Sequence, residues 1–327
     1  MGTGGGLCSY DGYNIRDHYS ASGNTSTRIY CGTMISDAVL MLGGDLGVLL
    51  YDTVADKYIP IDGGEIANVR SICRTGDTVW VGTLDGLYTY RIAEGRFAAA
   101  GKDSLPHRAV YSLAYSDDGI VFIGTYDGLG KYDTGTGAYG NIAMPAMGGR
   151  NNQFVNSLLV DNAGEWLWIG TENGLYRYGL GSGEVAEIPG FGSNSVKSLV
   201  EDAAGNLVIG TDDGLYIYEP SNQGVRHIVH NSRDGSSLVN NIVWGVLCER
   251  DGNIWLGTDS GVSLAPNTGA SRFVPVSDIT GVGDGNKFYA ILRGSRGGLW
   301  LGGSNGLIYT DADMSPRNVR WYRMGDK

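Results

Sequence analysis

One phrase recurs along this chain and dictates what it can fold into: VWVGTLDGLYTYR (79–91), VFIGTYDGLGKYD (121–133), LWIGTENGLYRYG (167–179), LVIGTDDGLYIYE (207–219), IWLGTDSGVSLAP (254–266) and LWLGGSNGLIYTD (299–311). A drifted copy reads LMLGGDLGVLLYD (40–52), and a shortened one, GTGGGLCSYDG (2–12), lies at the N-terminus. In every copy two glycines stand four residues apart. The second of each pair falls at Gly6, Gly47, Gly86, Gly128, Gly174, Gly214, Gly261 and Gly306, in steps of 39 to 47 residues. A fixed period of this length marks a repeat architecture whose units cannot bury their apolar faces alone.

Each unit holds short runs of β-formers bounded by turn signals, such as VNSLLV (155–160), DNAG (161–164), LWIG and GLYRY. Runs of four to six residues with Val, Ile, Tyr and Trp exclude a helical repeat of similar length. Asp85-Gly86, Asp127-Gly128, Asn173-Gly174, Asp213-Gly214 and Asn305-Gly306 favour the positive φ of a tight hairpin. The other glycine of each pair, Gly82, Gly124, Gly170, Gly210 or Gly257, sits at a strand end where a neighbouring unit approaches. These two roles absorb much of the 54 glycines, over twice the usual share of about 7%.

Four strands per unit, named a to d from the inside outward, make one blade of a β-propeller. Strand a is V-x-S-L-like, b is LWIGT-like, c is GLYRY-like, and d is a variable outer strand such as RFAAA (96–100). Strands a begin at Ile29, Val69, Val110, Val155, Val196, Val243 and Phe288, so an all-β, seven-bladed propeller of four-stranded antiparallel blades is expected over 1–327. Residues 1–28 supply c-like and d-like outer strands of a partial blade. This leaves an eight-bladed ring, or seven blades and an extra N-terminal hairpin, as alternatives. Trp80, Trp168, Trp255 and Trp300 recur on strand b and are read as inter-blade core, and Asp117, Asp161, Asp202 and Asp251 as formers of the a–b turn.

A net charge of −11 argues against nucleic acid, whose phosphates require clustered Lys and Arg. No apolar run is long enough to span a bilayer, and the first residues lack the pattern of a secretory signal. The four cysteines (Cys8, Cys31, Cys73, Cys248) form no C-x-x-C pair and only four histidines are present, so neither a metal site nor a cofactor is expected. Cys73 and Cys248 occupy like places in separate repeats and are read as buried in strands.

The combination seen in DNAGEWLWIGTENGLYRY and ERDGNIWLGTDSGV, with the lead-in SSLVNNIVWGVLCERDGNIWLGT (236–258), resembles the two-component regulator propeller repeat. The resemblance covers nearly the whole chain. It implies the periplasmic ligand-sensing part of a hybrid two-component sensor kinase or a one-component regulator of Bacteroidetes type, often answering to glycans. The kinase itself would lie elsewhere in the parent protein, since no kinase motif occurs here.

Propeller ligands sit at the channel mouth, lined by the first residues of the innermost strands. The residue after the first apolar residue of each strand a is Tyr30, Arg70, Tyr111, Asn156, Lys197, Trp244 and Tyr289. Its neighbours are monotonous while it varies among large polar and aromatic types, which packing alone does not require. Loops just upstream add Arg28, Arg108 and Lys287, together with Asn68, Arg150, Asn152, Asn194 and Asn240. Aromatic faces with amide and guanidinium donors suit a sugar. A ring with Arg70 and Lys197 but no carboxylate favours an anionic oligosaccharide. The partners expected are thus an oligosaccharide, the rest of the sensor and a possible second copy of the chain. A protein-interaction scaffold is the alternative. A propeller glycoside hydrolase or lyase is less favoured, because it needs paired carboxylates and only Glu65 and Asp284 depart from the repeat near the mouth; His107 has no evident partner.

Overall fold

The computed structural model describes residues 2–3, 6–10, 15–17, 29–52, 54–55, 57–61, 66–101, 104–145, 152–249, 252–267, 273–275, 288–293, 299–303, 306–310 and 320–322. The fold is an all-β propeller built from four-stranded antiparallel blades, each a meander in the order a-b-c-d. Blade I spans 29–59, II 69–100, III 110–142, IV 155–188, V 196–228 and VI 243–275. The chain divides into two compact units, residues 30–196 and residues 1–29 with 197–327.

The expectation of seven blades, or of eight, is corrected to six: among the described residues, blades I to VI have both strand pairing and side-chain packing on each of strands a to c. The last copy of the repeat contributes the paired strands Phe288–Arg293, Leu299–Gly303, Gly306–Thr310 and Arg320–Tyr322, with side-chain surroundings described only at Ile291. The N-terminal stretch is also more than two outer strands. Gly2–Thr3, Gly6–Tyr10 and Ile15–Asp17 form a three-stranded sheet of their own, because Gly2-Thr3 is the tail of a b strand and pairs with Gly6–Leu7.

Among the described residues, neighbouring blades share one repeated contact. The first glycine of the pair on strand b faces the leading valine of the next strand a. A Cβ on Gly82 would stand 2.6 Å from Val110 Cγ1, one on Gly170 2.5 Å from Val196 Cγ1, and one on Gly210 2.9 Å from Val243 Cγ1. Those valines are fully buried, each contributing about 1.5–3 kcal/mol. Trp80, Trp168 and Trp255 are buried as expected, while the Trp300 side chain lies outside the described residues.

The b–c turn is closed by a threonine whose role the sequence pattern left unassigned. Thr171 Oγ1 accepts the Asn173 N–H at 3.1 Å and donates to the Gly174 carbonyl at 3.0 Å. Thr83, Thr125, Thr211 and Thr258 repeat the arrangement. The turn glycine takes a positive φ, 98° at Gly174, which a side chain would resist. At the a–b turns, Asp161 and Asp202 accept two backbone N–H groups each, as expected of turn-formers. In blade III the contact from Ser116 is made by Asp118 rather than Asp117; Asp251 lies outside the described residues.

Candidate functional site

The variable inner position stands on a bulge. In blade II, Val69 pairs with Thr83 but Ser71 pairs with Gly82, leaving Arg70 without a register partner. The same slip isolates Tyr111, Asn156, Trp244 and Tyr289. A bulge leaves one residue out of the ladder and re-aims its side chain. This explains in backbone terms why that position is free to vary between its monotonous neighbours.

A second variable residue is fixed beside each bulge. The residue after the turn threonine donates its N–H to the carbonyl preceding strand a: Leu84 to Asn68, Tyr126 to Ala109, Glu172 to Phe154 and Asp259 to Ile242, at 2.9–3.2 Å. The two variable positions therefore meet at one end of every such blade.

In the unit 30–196, the Arg70 guanidinium lies over Tyr30, 4.1 Å from the ring centroid, with Asp45 Oδ1 at 3.8 Å. Tyr111 packs on Phe154 with centroids 4.6 Å apart, and Phe154 on Tyr126 at 5.0 Å. His107 continues this row, 5.3 Å from Tyr126, and its Nδ1 accepts the Ala109 N–H at 3.0 Å. Tyr126 is 48% exposed, so the row presents an accessible aromatic face. Asn156 Nδ2 donates to Glu172 Oε2 at 3.0 Å and to Ser195 Oγ at 3.2 Å. Arg108 reaches Asp85 at 3.2 Å, both well exposed.

In the unit with 197–327, Lys197 Nζ sits 4.6 Å above the Trp244 ring. Trp244 is 39% exposed and donates from Nε1 to Asp259 Oδ1 at 3.1 Å. Of the remaining expected site residues, Tyr289 is placed on its strand by backbone alone, and Arg28, Lys287 and Arg150 lie outside the described residues, as do Glu65 and Asp284. The loop asparagines serve the backbone. Asn152, buried, donates to Pro145 O, Asn194 O receives the Gly174 N–H, and Asn240 Oδ1 accepts the Ile242 N–H; Asn68 adopts a positive φ of 53°.

Sequence reasoning missed Asp45, Glu172, Asp259, Tyr126 and Phe154. All but Phe154 follow the closing glycine or threonine of strand b, and their variability from copy to copy was the available signal. Their presence removes the premise for an anionic ligand, because Arg70 faces Asp45 and carboxylates also stand on Asn156 and Trp244.

A family model described as two-component regulator propeller matches residues 148–173 and 237–260. The chain carries two-component regulator propeller repeats. Both matched stretches run from the loop before strand a to the b–c turn, and so contain the Asn156–Glu172 and Trp244–Asp259 pairs. Two crystal structures of an extracellular domain from B. thetaiotaomicron, described in one as a one-component and in the other as a hybrid two-component system, are each 41% identical. They cover 100% of this chain with TM-scores of 0.74 and 0.75, and this chain spans 44% of each. A histidine kinase of Formosa agariphila is 31% identical over 157 residues, which is 44% of this chain and 11% of the kinase.

Proposed function

We propose that this propeller is the extracytoplasmic, periplasmic ligand-sensing part of a two-component type regulator, and that it recognises an oligosaccharide at the bulged ends of its inner strands. The observation that carries this reading is the pairing of two variable positions in an otherwise monotonous repeat, where exposed rings stand beside charged and amide groups. Trp244, flanked by Lys197 and Asp259, and Tyr126, between His107 and Phe154, offer aromatic faces for the apolar face of a sugar. Asn156, Arg70 and Glu172 supply donors and acceptors for hydroxyls. The charges are locally balanced, which favours a neutral glycan over an acidic one. The relatives' location outside the cytoplasm and their membership of signalling systems support the same reading.

A thermal-shift screen of neutral and acidic oligosaccharides tests it. The melting temperature should rise with concentration, as a ligand that binds only the folded state stabilises by RT ln(1 + [L]/Kd). The rise should be lost in Trp244→Ala/Tyr126→Ala. A flat response to every glycan would leave the propeller as a protein-interaction scaffold.

A further inference from the structure

The place where one blade departs from the repeat is a cleft far along strands b and c from the bulges. It lies between blades II and III, entirely within the unit 30–196, and has a volume of about 610 Å³. Ligand clefts are commonly about 300–1,000 Å³. Two substitutions against the repeat open it. On strand c the third residue after the turn glycine is Leu50, Ile217 or Leu264, all buried, or the long Lys131 and Arg177; in blade II it is Thr89. Across the c–d ladder, the residues opposite Leu129, Leu175 and Leu215 are Ile142, Ile188 and Ile228. Opposite Leu87 stands Ala100. Thr89 and Ala100 both line the cleft, so it is missing side-chain volume in one blade and not a slack interface. Interiors otherwise close-pack, leaving few voids larger than a water.

What lines the cleft is aromatic and hydroxylic. Trp80, Tyr132 and Tyr139 form a ladder with centroid separations of 4.8 and 4.6 Å. Gly101, at φ 61°, lets the Tyr139 ring lie against the backbone, since a Cβ there would meet it at 2.5 Å. The phenol hydroxyls of Tyr115, Tyr132 and Tyr139 have no hydrogen-bond partner among the described residues, though all three line the cleft. Burial, with Tyr132 beside it, pushes the Tyr139 phenol up to about 12, so it remains a neutral donor. No carboxylate lines the space, and its one charged side chain, Arg91, faces Glu94 at 4.0 Å on the surface.

We infer that this inter-blade cleft is a second ligand site, separate from the inner-strand residues, which takes an uncharged polyhydroxylated molecule of mono- to disaccharide size. The tilted rings offer an apolar edge and face to a sugar and the phenols bond its hydroxyls. The inference does not depend on the reading of the inner-strand site.

The test is saturation-transfer NMR on the whole chain with glucose, galactose, xylose and maltose as probes. The filled variant Thr89→Leu/Ala100→Ile restores the residues of the other blades, so it should fold and melt no lower than the parent. At least one probe should receive saturation from the parent protein, lose it in the filled variant, and keep it in Trp244→Ala/Tyr126→Ala, which disables the inner-strand site. The inference is overturned if no probe receives saturation, or if the signal survives filling of the cleft in a protein that melts cooperatively. A signal lost only in Trp244→Ala/Tyr126→Ala overturns it while leaving the inner-strand reading intact.

Discussion

Asn156 and Glu172 meet across the bulge of blade IV, with the amide Nδ2 3.0 Å from Oε2. Neither position is conserved from blade to blade, yet the backbone brings the two together, one by the bulge and the other by the bond from its N–H to Phe154 O. Asp259 stands in the same relation to Trp244 in blade VI. A frame of repeated bonds thus presents a pair of freely chosen side chains, which is the arrangement a recognition surface needs.

Glu172 also accepts from Ser195 Oγ at 2.9 Å, and Ser195 is 1% exposed. Removing the carboxylate deletes two hydrogen bonds to a charged acceptor, from the Ser195 hydroxyl and the Asn156 amide, each worth about 1.5–3 kcal/mol. Glu172→Ala should therefore lower the urea midpoint clearly, and Glu172→Gln, which keeps an acceptor oxygen, by less. Equal midpoints for the two variants would show that the carboxylate oxygen does not hold the pair.

The turn threonines offer a sharper contrast. Thr211 is fully buried, and its hydroxyl both accepts the Asp213 N–H at 3.0 Å and donates to the Gly214 carbonyl at 2.8 Å. Thr211→Val preserves shape but leaves two backbone groups unpaired, so a loss of about 1–3 kcal/mol is expected. Thr211→Ser should recover most of it. Denaturant unfolding of the two variants side by side measures the difference.

The sequence made the blades legible because strand periods, turn dipeptides and the spacing of Gly82 and Gly86 are each dictated by local sterics. The inner position was legible for the same reason, since Arg70, Tyr111, Asn156 and Trp244 stand out between a leading valine and a small residue. Their partners were not. Whether Asp45 reaches Arg70 depends on a contact between blades, which a linear alignment of repeats does not display. The cleft was hidden likewise: Thr89 and Ala100 are unremarkable as residues and matter only because larger side chains hold those register positions elsewhere, Leu50, Lys131, Arg177, Ile217 and Leu264 in the one case and Ile142, Ile188 and Ile228 in the other.

Gly82 tests how closely adjacent blades approach. A Cβ there would come within 2.5 Å of Ser71 Oγ and 2.6 Å of Val110 Cγ1, and Val110, fully buried at the head of strand a, cannot swing away. Overpacking of a closed interior costs about 1–3 kcal/mol. Gly82→Ala should destabilise within that range by urea unfolding, whereas Gly76→Ser, in an open turn with nothing near the added atom, should cost only the strain of its positive φ.

The free thiols give the fold a dependence on alkaline pH whose sign is fixed by burial. Desolvation pushes Cys31 and Cys248 up to about 12 and Cys73 up to about 11, from an ordinary value of 9.0. Burial disfavours the thiolate, so the folded chain holds these protons after the unfolded chain has released them. Where the folded state binds more protons, stability falls as pH rises. The contribution is therefore whole at pH 8, declines above about 9, and is gone once pH passes the folded values near 11–12. Urea midpoints measured from pH 7 to 10.5 should be flat at first and then descend, and Cys31→Ala should make the descent shallower. The three thiols are half-buried, so in the native protein at pH 8 a disulfide reagent should modify Cys31, Cys73 and Cys248 more slowly than after denaturant is added; modification of Cys31 at the rate of a free thiol would contradict its desolvation.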